Sequence, residues 1–544
     1  MNRLFCVFGL ALTCLPGFSW AQQLPSDRQS GAVSVDAEQC SAWLHKLAGP
    51  DFAGRGTGQQ GYRKAAEFVA AHFRALGLTA RGPNDSYFQN MPWSQSQVTA
   101  ASLTFAKDGE RVLKVPGQRL SGNVSRDTDA SGGVVLLNIE VPPQRGRRMP
   151  RIEGLDDVNV AGKVVVAIVR ADQRTMPFAR YAVMRALQGQ KAAAFVFANS
   201  DAVSGGLRAG GGMSRRGRNP AAAAANNRPL DINIGGADVA ALLRCEGFTP
   251  DTFAAQPLLT ETAMAASVHV RVAAADAPAM NVWGVLEGRD PTLKDEYVVI
   301  GSHLDHLGER RGTIYPGADD DGSGTTGVMA VAQMFAENEV RPRRSILFVC
   351  FSAEERGLIG SRYFVDNCPV PLGSIAAELQ MDMIGRSEEE SRDGGRLVNR
   401  GETAEENRNV LHLVGTQKMS SQLHDVCMAT NERAGFEIEF DQESLFTRSD
   451  HANFAYKGVP IAFFFTGIHK DYHQPTDTPD KIDYPKLLRV ARYVYDIGFE
   501  VADAEQRPVI DPDLWAAFKK SDRHGRMPDE PAAPLRRGPR RAKK

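Results

Sequence analysis

From Ala279 onward, the 544-residue chain alternates predicted strands with predicted helices. Apolar runs that indicate strands lie at 297–300, 345–351, 375–381, 410–414 and 461–465. Helices are indicated at 325–338, 421–434 and 484–502. Strands that are joined through helices pair mostly in parallel and are covered by those helices. The alternation therefore predicts an α/β fold with a mixed, mostly parallel sheet flanked by helices.

Ionisable side chains follow the predicted strands at the points where the strands end. They are His303, Asp305 and His306 after the first strand, Glu354 and Glu355 after the second, Asp382 after the third, and His473 after the last, together with the acid-rich turn 317–324. Active sites of open α/β sheets lie at the carboxyl ends of the strands. We therefore expect these side chains to meet at one edge of the sheet.

The residue types in this set indicate a metal centre. Two imidazoles and three carboxylates drawn from this set would suit two divalent cations of intermediate hardness, above all zinc. Three carboxylates set against two zinc ions leave one positive charge, which a bridging hydroxide would neutralise. Because a metal pair lowers the pKa of a bridging water and polarises a carbonyl, this chemistry is hydrolytic.

With these motifs in this order, the chain resembles the M28 family of zinc-dependent exopeptidases, which includes bacterial leucine-type aminopeptidases and glutamate carboxypeptidases. The matching segments are His303 and Asp305 of a His-x-Asp motif, the turn Asp319–Gly324, the pair Glu354–Glu355, the dipeptide Asp382–Met383, and His473. The resemblance extends over about residues 40–504.

The resemblance implies a role for each matched ligand. One metal would be held by His303 and Asp382 and the other by Glu355 and His473. A bridging aspartate would join them, and the Gly-Ser-Gly that follows the three consecutive acids favours Asp320.

Other site residues also follow from the resemblance. Glu354 would be the general base, and Asp305 would orient His303 without binding metal. Relatives often place an oxyanion-binding tyrosine either before the last histidine or before a Ser-Asp-His segment, and these positions hold Tyr472 and Arg448. Tyr472 is thus the candidate, and Asp450 is expected to support the site from behind the metal ligands.

The implied activity is that of an aminopeptidase acting on peptides with a free N-terminus. A metal-bound hydroxide would attack the peptide carbonyl, while Glu354 accepts the water proton and passes it to the leaving amine. Three alternatives stay open: a carboxypeptidase or dipeptidase of the same family, a glutaminyl cyclase-like enzyme, and a noncatalytic scaffold protein.

The order of segments suggests an interrupted catalytic domain. Short apolar runs after residue 134, including Ala161–Val166, look like a protease-associated (PA) domain. The expected segments are a signal peptide at 1–21, an N-terminal part of the peptidase domain at 22–120, a β-rich PA domain inserted at 121–265, the main catalytic part at 266–507, and a basic, partly disordered tail at 508–544. Within the PA domain, Gly- and Ala-rich residues 204–229 predict a long loop.

The N-terminus and the composition indicate an exported globular protein. Arg3 precedes an apolar run at 4–14, which is followed by small residues before a cleavage site, as in secretory signal peptides. The mature chain would begin near Gln22 and reach the periplasm or the medium. A net charge of −1 does not favour nucleic-acid binding, and no later run is long enough to span a membrane. The oligomeric state and any cysteine pairing stay open.

Overall fold

The computed structural model of the protein describes residues 23–124, 126–142, 150–172, 175–199, 207–209, 211–213, 230–310, 312–387, 403–521, 528, 530 and 531. The expected signal peptide at 1–21 lies outside the described residues. The chain divides into two compact units. The discontinuous unit comprises residues 1–91 and 278–544, and the inserted unit comprises residues 92–277.

The strands and helices are as follows. The strands are β1 Phe88–Asn90, β2 Trp93–Lys107, β3 Glu110–Pro116, β4 Leu120–Val124, β5 Thr128–Glu140, β6 Val164–Arg170, β7 Ala194–Asn199, β8 Leu207–Ala209, β9 Gly211–Met213, β10 Leu230–Gly235, β11 Leu259–Asp276, β12 Met280–Leu286, β13 Tyr297–His303, β14 Gly308–Arg310, β15 Thr313–Tyr315, β16 Ser345–Phe351, β17 Ile375–Met381, β18 Val410–Val414, β19 Glu437–Glu439 and β20 Ile461–Phe465. The helices are α1 Gln29–Ala32, α2 Ala37–Leu47, α3 Gln60–Ala75, α4 Met176–Ala186, α5 Gly236–Cys245, α6 Pro250–Ala254, α7 Gly324–Glu337, α8 Ile359–Asp366, α9 Ala404–Asn407, α10 Thr416–Met419, α11 Ser421–Ala434, α12 His451–Ala455, α13 Tyr484–Asp503 and α14 Pro512–Ser521.

The discontinuous unit is built on an eight-stranded mixed sheet. Its strand order is β1-β12-β16-β13-β17-β20-β18-β19. The four central strands β16, β13, β17 and β20 run in parallel, and β12 and β18 pair antiparallel on either side of them. The predicted α/β fold with a mixed, mostly parallel sheet is thereby confirmed.

Both faces of this sheet are buried under helices. Along β13, Val298 and Ile300 belong to one buried cluster and Val299 to another, because successive side chains of a strand point to opposite faces. On the first face, Phe335 of α7 contacts Phe348 of β16, with ring centroids 6.1 Å apart. The second face is covered by α8 and α12, whose aromatic rings contact Phe351. Strands buried on both sides explain why β13, β16 and β17 read as continuous apolar runs.

Helix α3 shows how local sequence sets an element boundary. Ala65, Val69 and Phe73 recur at helical spacing and are fully buried. Gly77 follows with a φ of +69°, a left-handed conformation that glycine adopts without steric cost and that ends helices.

The inserted unit has wider limits than the expected 121–265. It contains a ten-stranded sheet in which the long strands β2 and β11 pair antiparallel from Ser94–Asp276 to Lys107–Met264. Because the chain enters through β2 and leaves through β11, the unit spans residues 92–277. Within the loop predicted at 204–229, β8 and β9 are strands, and the other residues lie outside the described part.

The expected tail at 508–544 begins as an ordered helix. Helix α14 buries Trp515 to 5% exposure, and Phe518 lies edge-on to Phe446 with ring centroids 4.9 Å apart. Trp515 and Phe518 are three residues apart and so share one side of the helix. Residues 512–521 of the expected tail are therefore helical, and most residues beyond 521 lie outside the described part. No helix within the described ranges is both long and apolar enough to cross a membrane.

Candidate metal centre and active site

Three adjacent parallel strands deliver ionisable side chains to the same edge of the sheet. His303 is the last residue of β13 and pairs with Phe351, the last residue of β16. Glu354 and Glu355 lie in a short 3-10 turn just beyond β16, and Asp382 follows β17 directly. The structure thus brings together the polar clusters that the sequence placed at strand ends.

One group of possible metal ligands is formed by His303, Asp320 and Asp382. The His303 Nε2 atom lies 3.3 Å from Asp320 Oδ1 and 3.5 Å from Asp382 Oδ1. Burial alone would lower the pKa of His303, but the carboxylates of Asp382 and Glu354 raise it well above its ordinary value. A strongly negative environment of this kind attracts a cation.

A second group shares Asp320 with the first. The His473 Nε2 atom lies 3.1 Å from both Asp320 Oδ2 and Glu355 Oε1. The His306 Nδ1 atom lies 2.9 Å from Glu355 Oε1 and 3.7 Å from Asp320 Oδ2. Asp320 therefore stands between two sets of nitrogen and oxygen atoms, as a bridging ligand must.

His306 belongs to this second group although the sequence gave it no ligand role. Its side chain is fully buried, and the His306–Asp320–Glu355 triplet is compact enough to hold a metal ion. The sequence did show His306 next to Asp305, but spacing alone does not reveal which way the loop after β13 turns.

The three consecutive acids of the turn have separate partners. Asp319 Oδ1 accepts a hydrogen bond from the main-chain N–H of Gly385, and its Oδ2 lies 3.2 Å from His469 Nε2. The Asp321 carboxylate accepts the main-chain N–H groups of His303, Gly324 and Met383. Only Asp320, of the three, faces His303, His306 and His473.

Glycine is required at two positions of this turn. Gly317 has a φ of +57°, and a Cβ there would lie 2.4 Å from the His306 ring. A Cβ on Gly324 would lie 2.3 Å from Asp321 Oδ1 and 2.4 Å from the Met381 carbonyl oxygen. Both contacts are shorter than packed atoms allow, so the close approach of turn and ligands depends on these glycines.

The Asp305 carboxylate does not bond to His303, although the sequence predicted that Asp305 would orient this histidine. The His303 Nδ1 atom bonds to the main-chain carbonyl oxygen of Asp305, 2.9 Å away, rather than to its carboxylate. The carboxylate instead accepts the Thr57 hydroxyl at 2.8 Å and the main-chain N–H of Glu354 at 3.0 Å. The Asp305 side chain therefore positions Glu354, and its main chain orients the histidine.

Glu354 lies in an environment that favours the protonated carboxyl. Burial raises its pKa well above the ordinary value, and the nearby charges of Asp450 and Asp382 act in the same direction, opposed by His303. Asp450 is fully buried, and burial raises its own pKa to about 7. The two carboxyls interact electrostatically.

The comparisons with known proteins place the C-terminal region of the chain in one family. The model of peptidase family M28 matches residues 281–497, which contain every candidate ligand. Residues 281–497 belong to peptidase family M28.

Proteins similar to this chain include aminopeptidases. A probable leucine aminopeptidase of Arthroderma otae is 26% identical over 223 residues, which cover 39% of this chain and 56% of that protein. Leucine aminopeptidase 1 of Ajellomyces dermatitidis is 28% identical over 226 residues, covering 40% and 55%. The chain thus spans about half the length of these relatives.

A solved structure shares the fold. The match to the zinc aminopeptidase BSAP from Bacillus subtilis covers 88% of this chain and 98% of the BSAP chain, with 18% sequence identity and a TM-score of 0.50.

In the M28 region, the loop that carries Tyr472 and His473 is fastened at two points. The buried guanidinium of Arg386 donates to Asp471 Oδ2 at 3.0 Å. The Asp477 carboxylate accepts the main-chain N–H groups of Asp319 and Asp320 at 3.1 and 3.2 Å. These bonds tie the position of His473 to that of the acid-rich turn.

Backbone strain is concentrated beside the functional residues of the M28 region. Ala353, Met383 and His473 have φ angles of 56°, 54° and 57°, in the left-handed region that side chains other than glycine rarely adopt. Ala353 precedes Glu354, Met383 follows Asp382, and His473 is itself a candidate ligand. Such residues cost about 1–3 kcal/mol each and cluster at functional sites.

A partly open cavity leads to the possible metal ligands. Its lining residues are His303, Asp320, Glu354, Asp382, Met383, Leu445, Arg448, Phe463, Phe465, Ile468, Tyr472 and His473. The Tyr472 ring stacks on His473, with centroids 3.9 Å apart, and its hydroxyl lies 3.5 Å from Arg448 Nη2. Burial and the charge of Asp320 raise the pKa of Tyr472, so the hydroxyl keeps its proton and can act as a donor.

Proposed function

We propose that this protein is a zinc-dependent aminopeptidase that removes N-terminal residues from peptides. The observation that carries the proposal is the Asp320 carboxylate, which stands between His303 with Asp382 on one side and His473 with Glu355 on the other. Membership of residues 281–497 in peptidase family M28 and similarity to leucine aminopeptidases support it.

The donor set fits two zinc ions. The buried atoms Asp320 Oδ2 and Glu355 Oε1 form no well-directed hydrogen bond with any described residue, although imidazole nitrogens lie 3.1 Å away. Metal ligands show this pattern because their lone pairs face a shared cation rather than one another. Nitrogen and carboxylate oxygen atoms are ordinary zinc ligands. We assign one ion to His303 and Asp382 and the other to Glu355 and His473, with Asp320 bridging.

Zinc bound there would lower the pKa of a bound water and polarise the peptide carbonyl. Glu354 would accept a proton from the attacking water and deliver it to the leaving amine. Its raised pKa suits a group that must hold a proton between these two steps. The hydrogen bond from the Glu354 main chain to Asp305 fixes the backbone of this base.

Tyr472 supplies a hydrogen bond to the oxygen of the peptide carbonyl as that oxygen becomes negative. Its hydroxyl lines the cavity together with Glu354 and His473. Fixed donors of this kind stabilise the transition state because they need no reorganisation during the reaction.

Two further parts of the chain enter the proposal. Residues 1–21 direct export to the periplasm or the medium, as their apolar run and small residues indicate. The inserted unit corresponds to a PA domain, supported by its β-rich sheet with parallel strands β5, β6, β7 and β10.

The test is amino-acid release by the zinc-loaded mature protein from short peptides with free and with acetylated N-termini, repeated after chelation. Release that needs a free N-terminus and stops on chelation supports the aminopeptidase. Release from acetylated peptides at the same rate would indicate a carboxypeptidase. Loss of ammonia from N-terminal glutamine without peptide cleavage would indicate a cyclase. The complete absence of turnover from a metal-loaded protein would indicate a scaffold.

A further inference from the structure

The cavity above the candidate metal centre contains an arginine that no ligand role explains. The Arg448 side chain lines the cavity, and its Nη2 atom lies 3.5 Å from the Tyr472 hydroxyl. No carboxylate among the described residues lies within ion-pair distance of its guanidinium. The remainder of the residue is exposed, and its main-chain N–H bonds to the Leu445 carbonyl oxygen at 2.8 Å.

Arg448 forms no ion pair with any described residue. Four other arginines of the discontinuous unit, Arg28, Arg343, Arg344 and Arg386, each bind a carboxylate at 3.0 Å or less. The cavity also contains the carboxylates of Asp320, Glu354 and Asp382, yet Arg448 pairs with none of them. Apart from the Nη2 donor that contacts the Tyr472 hydroxyl, the guanidinium donors of Arg448 are therefore available to a molecule that enters the cavity.

The other cavity walls differ in character from Arg448. Five lining side chains are apolar, namely Met383, Leu445, Phe463, Phe465 and Ile468. Among the described lining residues, Arg448 is the one Arg or Lys. The cavity thus offers an apolar surface for an uncharged side chain and a single planar cation for an anionic group.

We propose that Arg448 binds a carboxylate of the substrate and so directs the enzyme to short peptides that carry one near the cleaved bond. The inference rests on the proposed aminopeptidase function and specifies its substrate class. Guanidinium groups bind carboxylates through paired, charge-assisted hydrogen bonds. The carboxylate can come from the C-terminus of a dipeptide or from an acidic side chain at its second position.

Four substrates separate these sources. They are Leu-Gly, Leu-Gly amide, Leu-Glu amide and Leu-Gln amide, assayed for kcat and KM with the zinc-loaded protein. The variants are Arg448→Ala, Arg448→Lys and, as a control, Lys470→Ala, which removes an exposed positive charge from the nearby loop without touching the cavity lining.

The expected result is selective. Arg448→Ala lowers kcat/KM by about 10- to 100-fold on Leu-Gly or on Leu-Glu amide, the size expected for a lost charge-assisted hydrogen bond, and leaves the uncharged amides within about 2-fold. The loss falls mainly on KM. Arg448→Lys recovers part of it, and Lys470→Ala behaves as the parent. A loss confined to Leu-Gly identifies the C-terminal carboxylate, and a loss confined to Leu-Glu amide identifies the side chain.

Other outcomes overturn the inference. An equal loss on all four substrates, mainly in kcat, would place Arg448 at the oxyanion beside Tyr472. No loss on any substrate would leave Arg448 without a binding role while the aminopeptidase function stands. If the parent protein holds zinc but cleaves neither these four nor the short peptides of the aminopeptidase test, the proposed function fails, and the inference fails with it.

Discussion

Both units of the molecule contain four adjacent parallel strands, but among the described residues only the set in the discontinuous unit leads into a cluster of His, Asp and Glu side chains. In the discontinuous unit, β16, β13, β17 and β20 lead into the candidate metal ligands. In the inserted unit, β5, β6, β7 and β10 end at Glu140, Arg170, Asn199 and Gly235. In the described part of the inserted unit, no three His, Cys, Asp or Glu side chains lie close enough together to hold a metal ion.

The difference shows that parallel topology gathers strand ends but does not choose their chemistry. Glu140 and Arg170 are register partners, and they form only an exposed ion pair with 3.6 Å between the charged atoms. Backbone strain follows the same division. In the described part of the inserted unit, the non-glycine residues with left-handed φ angles, Asp108 and Lys191, are exposed, whereas Ala353 and Met383 are buried beside the candidate site. Strain at buried positions therefore distinguishes a functional sheet edge from an ordinary one.

Removing the shared ligand should have the largest effect. We expect Asp320→Ala to lose bound zinc and to abolish peptide cleavage, because both ligand groups depend on this carboxylate. Metal content after dialysis measures the first effect and amino-acid release the second. Asp129→Ala, which removes an exposed carboxylate from the inserted unit, is the control and should retain both. Two zinc ions per Asp320→Ala chain would contradict the bridging assignment.

Glu354→Gln should separate catalysis from metal binding. The amide keeps the size of the side chain but cannot accept the proton, so kcat should fall by about 10²- to 10⁴-fold. Zinc content should match that of the parent protein, because Glu354 is not assigned as a ligand. Turnover at the parent rate would show that another group is the base.

We expect acid to destabilise the discontinuous unit through the buried side chain of His451. This ring is buried and stacks on Phe463 with centroids 4.5 Å apart, and burial lowers its pKa to about 3. The unfolded chain takes up this proton near pH 6.5, so stability is lost as the pH falls from about 6.5 toward 3. Between pH 7 and pH 4.5 the loss attributable to His451 should be roughly 2–3 kcal/mol.

His451→Phe should remove this part of the pH dependence, because the phenyl ring fills a similar volume without a titrating group. Urea unfolding of metal-free protein at the two pH values measures it and avoids the separate effect of zinc release. Equal losses in parent and variant would assign the acid sensitivity to other groups.

The smallest effect is expected at the corresponding sheet edge of the inserted unit. Arg170→Ala breaks the exposed pair with Glu140, and such pairs contribute about 0–1 kcal/mol. Activity should stay within about 2-fold of the parent and unfolding free energy within about 1 kcal/mol. A large loss of turnover would show that this edge takes part in the reaction.

The sequence predicted those elements that are determined by residues close together in the chain. Strands 410–414 and 461–465 and helix 421–434 have the predicted bounds, because apolar runs and helix caps are local signals. The ligand candidates also came together, because residues just beyond adjacent parallel strands must lie close to one another.

The remaining features depend on distant or geometric relations. The boundary at residue 92 is set by pairing of β2 with β11, more than 150 residues later, which no local pattern shows. Whether His303 bonds to the carboxylate or the main-chain oxygen of Asp305 depends on a few tenths of an ångström in a loop. The position of His306 beside Glu355 depends on the same loop.

The interruption of the discontinuous unit also sets an order for biosynthesis. Strand β1 pairs with β12, which the ribosome makes only after the whole of residues 92–277. The inserted unit is continuous in sequence, so all of its strands are available before β13 has been translated. Domains fold as units during or after synthesis. Strand β1, within the N-terminal 91 residues, therefore cannot pair in the sheet until β12 has been synthesised.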